Sequence, residues 1–283
     1  MKKIKFIAML FIATLVFVSC QNEDTLDKEA TSKDQYPEIA SKLQKMHFNP
    51  SDLKAVDITL PDGTKEEGFQ FENDIVMGRD QIMNMQMGGD ITTKQYRTWN
   101  LVSTPWWGGT RTIKIMGYYA SGSNPYYLNY KARVGLVWAV NNYNALRLRI
   151  KFKLVWGTSY GSQDILVYNL AGQGGSGGVA GFPSGGNPYK WVRTFGLNGY
   201  SYNVNEHVTT HEIGHAVGFR HTDYFNRASC GQNSNEGSAG VGAVHIPGTP
   251  WGIDWNSVML ACFNANENGE FGYYDKKALN YMY

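Results

Sequence analysis

The sequence predicts an α+β protein: a twisted, mixed five-stranded sheet with two long helices on one face and an irregular C-terminal subdomain. Three observations carry this. Five short β-rich stretches fall between Arg111 and Leu197, and the clearest of them alternate apolar with polar residues, the period of a half-buried strand. Two longer stretches, Tyr130 to about Asn144 and Val204 to about Val217, repeat residues at helical spacing. The order strand, helix, strand, strand, edge strand, strand, helix implies one sheet. Beyond it the chain turns Gly-, Asn- and Ser-rich.

The chain opens with a basic Lys2-Lys3-Ile4-Lys5, followed by an apolar run of 13 residues from Phe6 to Val18. That run is too short for a comfortable membrane span and reads as the core of a signal peptide over residues 1–20. It ends at Ser19-Cys20, and a small residue directly before Cys resembles a bacterial lipobox, although Phe17 stands where Leu is usual. Cys20 is therefore the candidate lipidation site. The acidic run after it resembles signals that send lipoproteins to the outer face of the outer membrane. The expectation is an exported protein, either an outer-membrane lipoprotein or extracellular after processing, that meets a membrane only through a lipid anchor. The formal charge is +2, and the three leader lysines more than account for it, leaving the exported chain near −1. No basic surplus argues for nucleic acid. Without Cys20 two cysteines remain, Cys230 and Cys262, and in an oxidising compartment an even pair is expected to bridge.

Residues 21–35 are polar and charged and read as a flexible tether. Residues 36–95 read as a propiece and linker. Ile39 and Leu43 suggest a short helix. Pro61-Asp62-Gly63-Thr64 makes a turn between strands at Val56–Leu60 and Gly68–Phe71. Met83 to Gly89 is Met- and Gly-rich and reads as linker. The unit is too small to be an independent domain. Residues 96–283 form the main domain.

Arg111–Tyr118 is the first strand of that domain. Asn129 can cap the helix after it, on which Val134, Val137, Trp138, Asn141 and Ala145 share one face. From Leu146 to Val155, apolar residues alternate with Arg147, Arg149, Lys151 and Lys153, a half-buried strand with a solvated basic face. Asp164–Leu170 is a further strand. Gly172 to Pro188 holds eight glycines in 17 residues without the GK[ST] of a phosphate loop. Within it, Val179–Pro183 reads as an edge strand to which an extended peptide could add. Trp191–Leu197 leads on toward the second helix.

That helix carries the densest chemistry: His211-Glu212-Ile213-Gly214-His215-Ala216-Val217-Gly218-Phe219-Arg220-His221. His215 lies about 40° around the helix axis from His211, and Glu212 about 100°. Both imidazoles can reach one ion, with Glu212 beside it. Gly218 can adopt the left-handed conformation that ends a helix, which returns His221 as a third ligand and leaves a fourth position open for water, the arrangement of a catalytic zinc. HExxHxxGxxH is the extended signature of the metzincins.

With HEIGH, HTDY, the cysteine pair, HIPGTP and SVM in place, residues 96–283 resemble the dual-action HEIGH metallopeptidases, a bacterial metzincin family. The resemblance implies a zincin-like fold, one catalytic Zn2+ on His211, His215 and His221, Glu212 as general base, and protein or peptide substrates. It also makes Met259, 38 residues after His221, the methionine of a tight turn beneath the imidazoles. Asp74, after a strand in the propiece, could fill the open zinc position, as an aspartate does in the proforms of astacin-like enzymes. Two departures stand out. In astacins and serralysins a tyrosine two residues past that methionine assists at the zinc; here the position is Ala261. Thr222 replaces the glutamate that marks astacins. Tyr224 is a candidate substitute helper. Calcium has no support beyond the Asn- and Glu-rich loops at 232–236 and 264–270, and a monomer is expected. The alternative is a surface adhesion lipoprotein with a structural metal site, for which His245 would be the fourth ligand to watch and Trp106 and Trp107 the binding platform; a third reading is a toxin-like peptidase with one protein target.

Overall fold

The computed structural model describes residues 32–86, 96–236 and 244–283. The leader, Cys20, residues 21–31 and the linker beyond Gln86 lie outside the described residues. Ser32–Gln35 (α1) and Pro37–Lys45 (α2) are helical, so the end of the expected tether is already ordered as helix. Three antiparallel strands follow: β1 (Lys54–Thr59), β2 (Lys65–Phe71) and β3 (Ile75–Gly78), in the order β1-β2-β3. Helix α3 (Arg79–Asn84) closes the segment. Strand β3 has only four residues, too few to register as a period. Met83 belongs to α3 rather than to a linker, because Ile82 and Met85 are drawn into the core.

The turn between β2 and β3 shapes the rest of the molecule. Phe71 pairs with Ile75, so Glu72, Asn73 and Asp74 form a three-residue tip. Glu72 (φ 52°) and Asn73 (φ 67°) both take the left-handed conformation, which L-residues other than Asn and Asp rarely adopt. Most of the buried residues described in this segment join the core of the main domain. Ile39, Leu43, Phe48, Phe69, Phe71 and Met77 belong to the same buried cluster as Ile113, Leu136, Phe182, Ile213 and Met259.

The main sheet consists of β5 (Arg111–Tyr118), β6 (Ile150–Gly157), β7 (Ile165–Asn169), β8 (Gly177–Val179) and β9 (Trp191–Phe195), in the order β6-β5-β7-β9-β8. The first four are mutually parallel and β8 runs antiparallel to β9 at the edge, giving the mixed five-stranded sheet expected. Two long helices, α4 (Tyr130–Ala145) and α5 (Tyr202–Ala216), pack together against one face. On the other face, near the β8 edge, Ile58, Leu60 and Val76 of the N-terminal sheet cover Val179. A short pair, β4 (Tyr96–Arg97) with β10 (Val244–His245), and a C-terminal helix α6 (Tyr273–Met282) complete the irregular lower part. No helix among the described residues is long and apolar enough to cross a membrane.

Three sequence expectations shift. Strand β6 begins at Ile150 rather than Leu146, because Leu146 caps α4 and Arg147 turns left-handed (φ 56°); Lys151 and Lys153 nevertheless alternate outward from buried Ile150 and Phe152. The edge strand starts two residues earlier than expected, at Gly177, and Ala180 bridges instead to Ile75. Most importantly, the stripe through Val134, Val137, Trp138 and Asn141 is the outward side of α4. The buried side is Ala132, Gly135, Leu136, Ala139, Val140 and Tyr143. Both sides carry apolar residues, so periodicity alone could not choose. Contact with α5 decides: a Cβ at Gly135 would sit 2.7 Å from the Asn205 carbonyl carbon and the Glu206 nitrogen, so the backbones approach too closely for a side chain.

Gly272 is the N-cap of α6 and Asp275 stands at the third helical position. Its carboxylate accepts from the Gly272 nitrogen (3.0 Å), the Val258 nitrogen (2.9 Å) and the Ser257 hydroxyl (2.6 Å), so it ties α6 to the turn containing Met259. Burial pushes its pKa up to about 6.

Replacing Gly135 with alanine sets a helix-propensity gain of up to about 1 kcal/mol against a backbone clash that cannot relax by side-chain rotation. The clash is expected to win, with a net loss of roughly 1–3 kcal/mol in chemical denaturation; an unchanged or raised midpoint would contradict the close α4–α5 approach.

Candidate active site

Helix α5 starts at Ser201, whose hydroxyl accepts from the Val204 nitrogen at 3.2 Å, and it runs through the core with every residue from Val204 to Ala216 buried. His211 and His215, one turn apart, bring their Nε2 atoms to 2.9 Å. Val217 closes the helix, Gly218 takes φ 112° and the Phe219 nitrogen returns to the Gly214 carbonyl at 2.9 Å. This reversal brings His221 Nε2 to 3.1 Å from His215 Nε2 and 3.3 Å from His211 Nε2.

The opposite ring nitrogens set the direction of all three rings. His211 Nδ1 donates to the Val258 carbonyl (2.9 Å) and His215 Nδ1 to the Phe219 carbonyl (2.8 Å). His221 Nδ1 lies 2.9 Å from each carboxylate oxygen of Glu236. Carbonyls and carboxylates accept, so each Nδ1 carries the proton and the Nε2 lone pairs point at one another. Three acceptors gathered in a buried pocket are unfavourable without a cation between them. Burial pushes His211 down to about 4 and lowers His215 as well, so both are neutral, the form that binds a metal. Burial acts the same way on His221, but the carboxylates of Asp74 and Glu236 outweigh it and raise its pKa.

Asp74 completes the group. Its Oδ2 lies 2.8, 3.5 and 3.7 Å from Nε2 of His221, His211 and His215, and the four side chains form a cluster able to hold a metal ion. Burial works to raise the Asp74 pKa, yet His221 and the proximity of the other two imidazoles hold it well below the usual carboxylate range. Three imidazole nitrogens and one carboxylate oxygen suit four-coordinate zinc.

The hairpin tip that presents Asp74 is gripped on both sides. The Val76 nitrogen donates to the Ala180 carbonyl at 2.6 Å and the Ala180 nitrogen to the Asp74 carbonyl at 3.0 Å. Glu72 makes a buried ion pair with Arg220, and its carbonyl accepts from Arg227 at 3.3 Å. The Arg220 guanidinium stacks over Phe48 at 4.5 Å and Tyr224 at 5.2 Å.

Glu212 lies next to the group and is 2% exposed. Burial, and then the nearby Asp74 charge, push its pKa well up. Edge strand β8 passes directly over it: a Cβ on Gly178 would fall 2.5 Å from a Glu212 carboxyl oxygen. A cleft of about 390 Å³ runs from Asp74 past His211 and Glu212 to Tyr200, His207 and Leu260–Phe263. Beneath the helix Met259 is fully buried, and its Sδ would be 2.6 Å from a Cβ on Gly214. The Met259 carbonyl accepts from the Thr222 nitrogen at 2.8 Å.

Other expected residues fall further out. Ala261 lines the cleft, whereas Tyr224 does not. Its ring is buried in an aromatic cluster with Tyr96, 4.0 Å between centroids, and Phe225, which gives it no view of the cleft. His245 accepts or donates within its own turn, 3.2 Å from Thr249, and stacks on Trp251; it is no part of the His–Asp group. Cys230 and Cys262 are bridged, and Asp223 joins the same two segments by accepting from the Ser229 and Ala261 nitrogens. Sequence reasoning missed Glu236, Glu72, Arg220 and His207. Glu72 stands two residues from Asp74, Arg220 directly before His221 and His207 one turn before His211, but nothing local marks their roles, and Glu236 is one acid of the loop at 232–236.

A family model described as dual-action HEIGH metallo-peptidase matches residues 69–283. The chain belongs to that family. It is a zinc metalloprotease acting on protein or peptide substrates, with a single catalytic zinc. No curated protein is significantly similar to it. Among solved structures it is similar to myroilysin in two structures. One shares 16% identity over 62% of this chain and 80% of that one, with a TM-score of 0.36. The other shares 15% identity over 71% and 95%, with a TM-score of 0.37. It is also similar to high choriolytic enzyme 1, a hatching-enzyme zinc protease of the medaka fish Oryzias latipes, at 15% identity over 68% and 98%, with a TM-score of 0.38.

The bridge between Cys230 and Cys262 closes a 32-residue separation. Replacing both cysteines with serine is expected to cost roughly 3 kcal/mol of stability, read by denaturant titration under non-reducing conditions; a variant as stable as the parent would mean that the Asp223 contacts alone hold the two segments.

Proposed function

We propose that His211, His215 and His221 hold the zinc, that Glu212 is the general base of an endopeptidase, and that Asp74 fills the fourth position in the uncleaved chain. The observation that carries this is the convergence of three buried Nε2 lone pairs on the oxygen of Asp74. Residues 36–95 are read as a propiece ahead of a catalytic domain at 96–283. Export through the leader at 1–20 and a lipid anchor at Cys20 remain part of this reading, as does a monomeric state; they rest on the sequence alone.

A zinc held there supplies Lewis acidity toward water and the scissile carbonyl. The chain does the rest. Glu212, dry beneath Gly178 and next to the cluster, takes the proton of the attacking water and passes it to the leaving amine. Met259 and the anchored Nδ1 atoms keep the three rings from turning. Edge strand β8 offers its backbone to an extended substrate. The peptide groups of Asp74 and Val76 now hold Ala180 at the end of that edge, so hairpin tip and substrate compete for the same backbone as well as for the fourth zinc position.

Glu212→Ala is expected to leave the zinc content at one ion per chain, by elemental analysis, while peptide hydrolysis falls by roughly 10²–10⁴-fold. Hydrolysis at the parental rate would refute the base role.

Asp74→Ala tests the cap separately. The uncleaved chain carrying it should hydrolyse a peptide substrate while the uncleaved parent does not, with mass spectrometry confirming that the N-terminal segment is still attached. A silent variant would remove Asp74 from the inhibitory role.

A further inference from the structure

We propose that Glu236 is the positioning residue of the zinc site: its carboxylate sets the orientation and tautomer of His221 and thereby strengthens zinc binding. The three imidazoles are not supported alike. His211 and His215 stand on α5, and backbone carbonyls take their outer nitrogens. His221 stands beyond the helix, in an irregular turn, and among the described residues no backbone carbonyl meets its Nδ1. Both oxygens of Glu236 meet that nitrogen at 2.9 Å instead.

Glu236 is itself held from several directions and is 4% exposed. Arg227 makes an ion pair with its carboxylate. Its backbone nitrogen donates to the Tyr224 carbonyl at 2.8 Å, and its carbonyl accepts from the Asn49 nitrogen at 2.8 Å. Asn49 belongs to the N-terminal segment; the contacts with Arg227 and Tyr224 do not. Glu236 therefore keeps its grip on His221 from within residues 220–236 whether or not that segment stays.

A carboxylate on the outer nitrogen does two things. It holds the proton at Nδ1, so Nε2 is always the ligand atom, and its negative charge makes that atom a stronger donor. A charged partner is useful here because His221 has no helix to restrain its ring.

The test uses the full chain and zinc itself. Zinc affinity is measured by competition with a chromophoric chelator for the parent, Glu236→Gln and Glu236→Ala, alongside the visible spectrum of the cobalt-substituted proteins. Glu236→Gln keeps size and an acceptor oxygen for both His221 and Arg227 but loses the charge. Removing such an outer partner typically weakens metal binding by about 10–100-fold. We expect Glu236→Gln near the lower end, Glu236→Ala near the upper end, and a shifted cobalt spectrum in both. Should Glu236→Ala not fold, because it leaves Arg227 buried without its carboxylate, Glu236→Gln decides alone. Parental zinc affinity and an unchanged cobalt spectrum in Glu236→Gln would overturn the proposal, and so would a variant that loses only thermal stability.

Discussion

The molecule depends on one constraint: three imidazole nitrogens must converge inside a dry core without their rings being free to turn. No single element can impose that. The helix α5 supplies two rings at one-turn spacing, but it fixes only where they start. Their outer nitrogens are pinned by acceptors from three separate places: the turn before Met259, the reversal at Phe219, and Glu236 on a distant loop. Each acceptor is then fixed in turn. The Val258 carbonyl accepts from His211 and the Val258 nitrogen donates to Asp275 of α6, so the C-terminal helix is linked to the first imidazole through the backbone of a single residue. The irregular lower part of the chain is thus the frame of the site. Its irregularity follows from the need to aim individual carbonyls and carboxylates, which regular strands and helices use up among themselves.

The N-terminal segment meets this frame from the opposite side. Its tip is conformationally costly, with two consecutive residues in the left-handed region, worth about 1–3 kcal/mol each when held by surrounding structure. Such a conformation persists only where other contacts over-determine it. They do: Glu72 is locked to Arg220, and Asp74 reaches the imidazoles. The two carboxylates of the tip grip neighbouring residues of one short stretch, Arg220 and His221.

Much of this was legible in the sequence where the geometry is local. The spacing of His211, Glu212, His215 and His221 is a statement about one helix and one reversal, and it needs no tertiary information. The number of sheet strands and their order along the chain were legible for the same reason, though not their order within the sheet. What could not be read depended on which surface meets which. On α4 both sides are apolar enough to be buried, and the choice falls to the side where Gly135 lets α5 approach. Glu236 is one acid in a polar stretch, and nothing local distinguishes it from Glu267 or Glu270. Its role exists only because the loop folds back across Tyr224. The pairing of Glu72 with Arg220 spans 148 residues and is invisible to any period.

The energetics divide the work of the N-terminal segment between aim and hold. Phe48, Phe69, Phe71, Ile75 and Met77 are all buried in the shared core, and each such side chain contributes about 1.5–3 kcal/mol when fully removed from water. The ion pair of Glu72 with Arg220 contributes much less net, since burying two charges costs a large part of what their attraction returns. The hold is therefore apolar and the aim is electrostatic. Asp74 adds direction to a segment already seated by its aromatic and aliphatic residues. On the reading proposed for Asp74, losing its carboxylate would open the fourth position at the imidazoles while leaving the segment docked, whereas losing the apolar contacts would release tip and carboxylate together. On that reading, docking and blocking are separable because they rest on different residues and different forces.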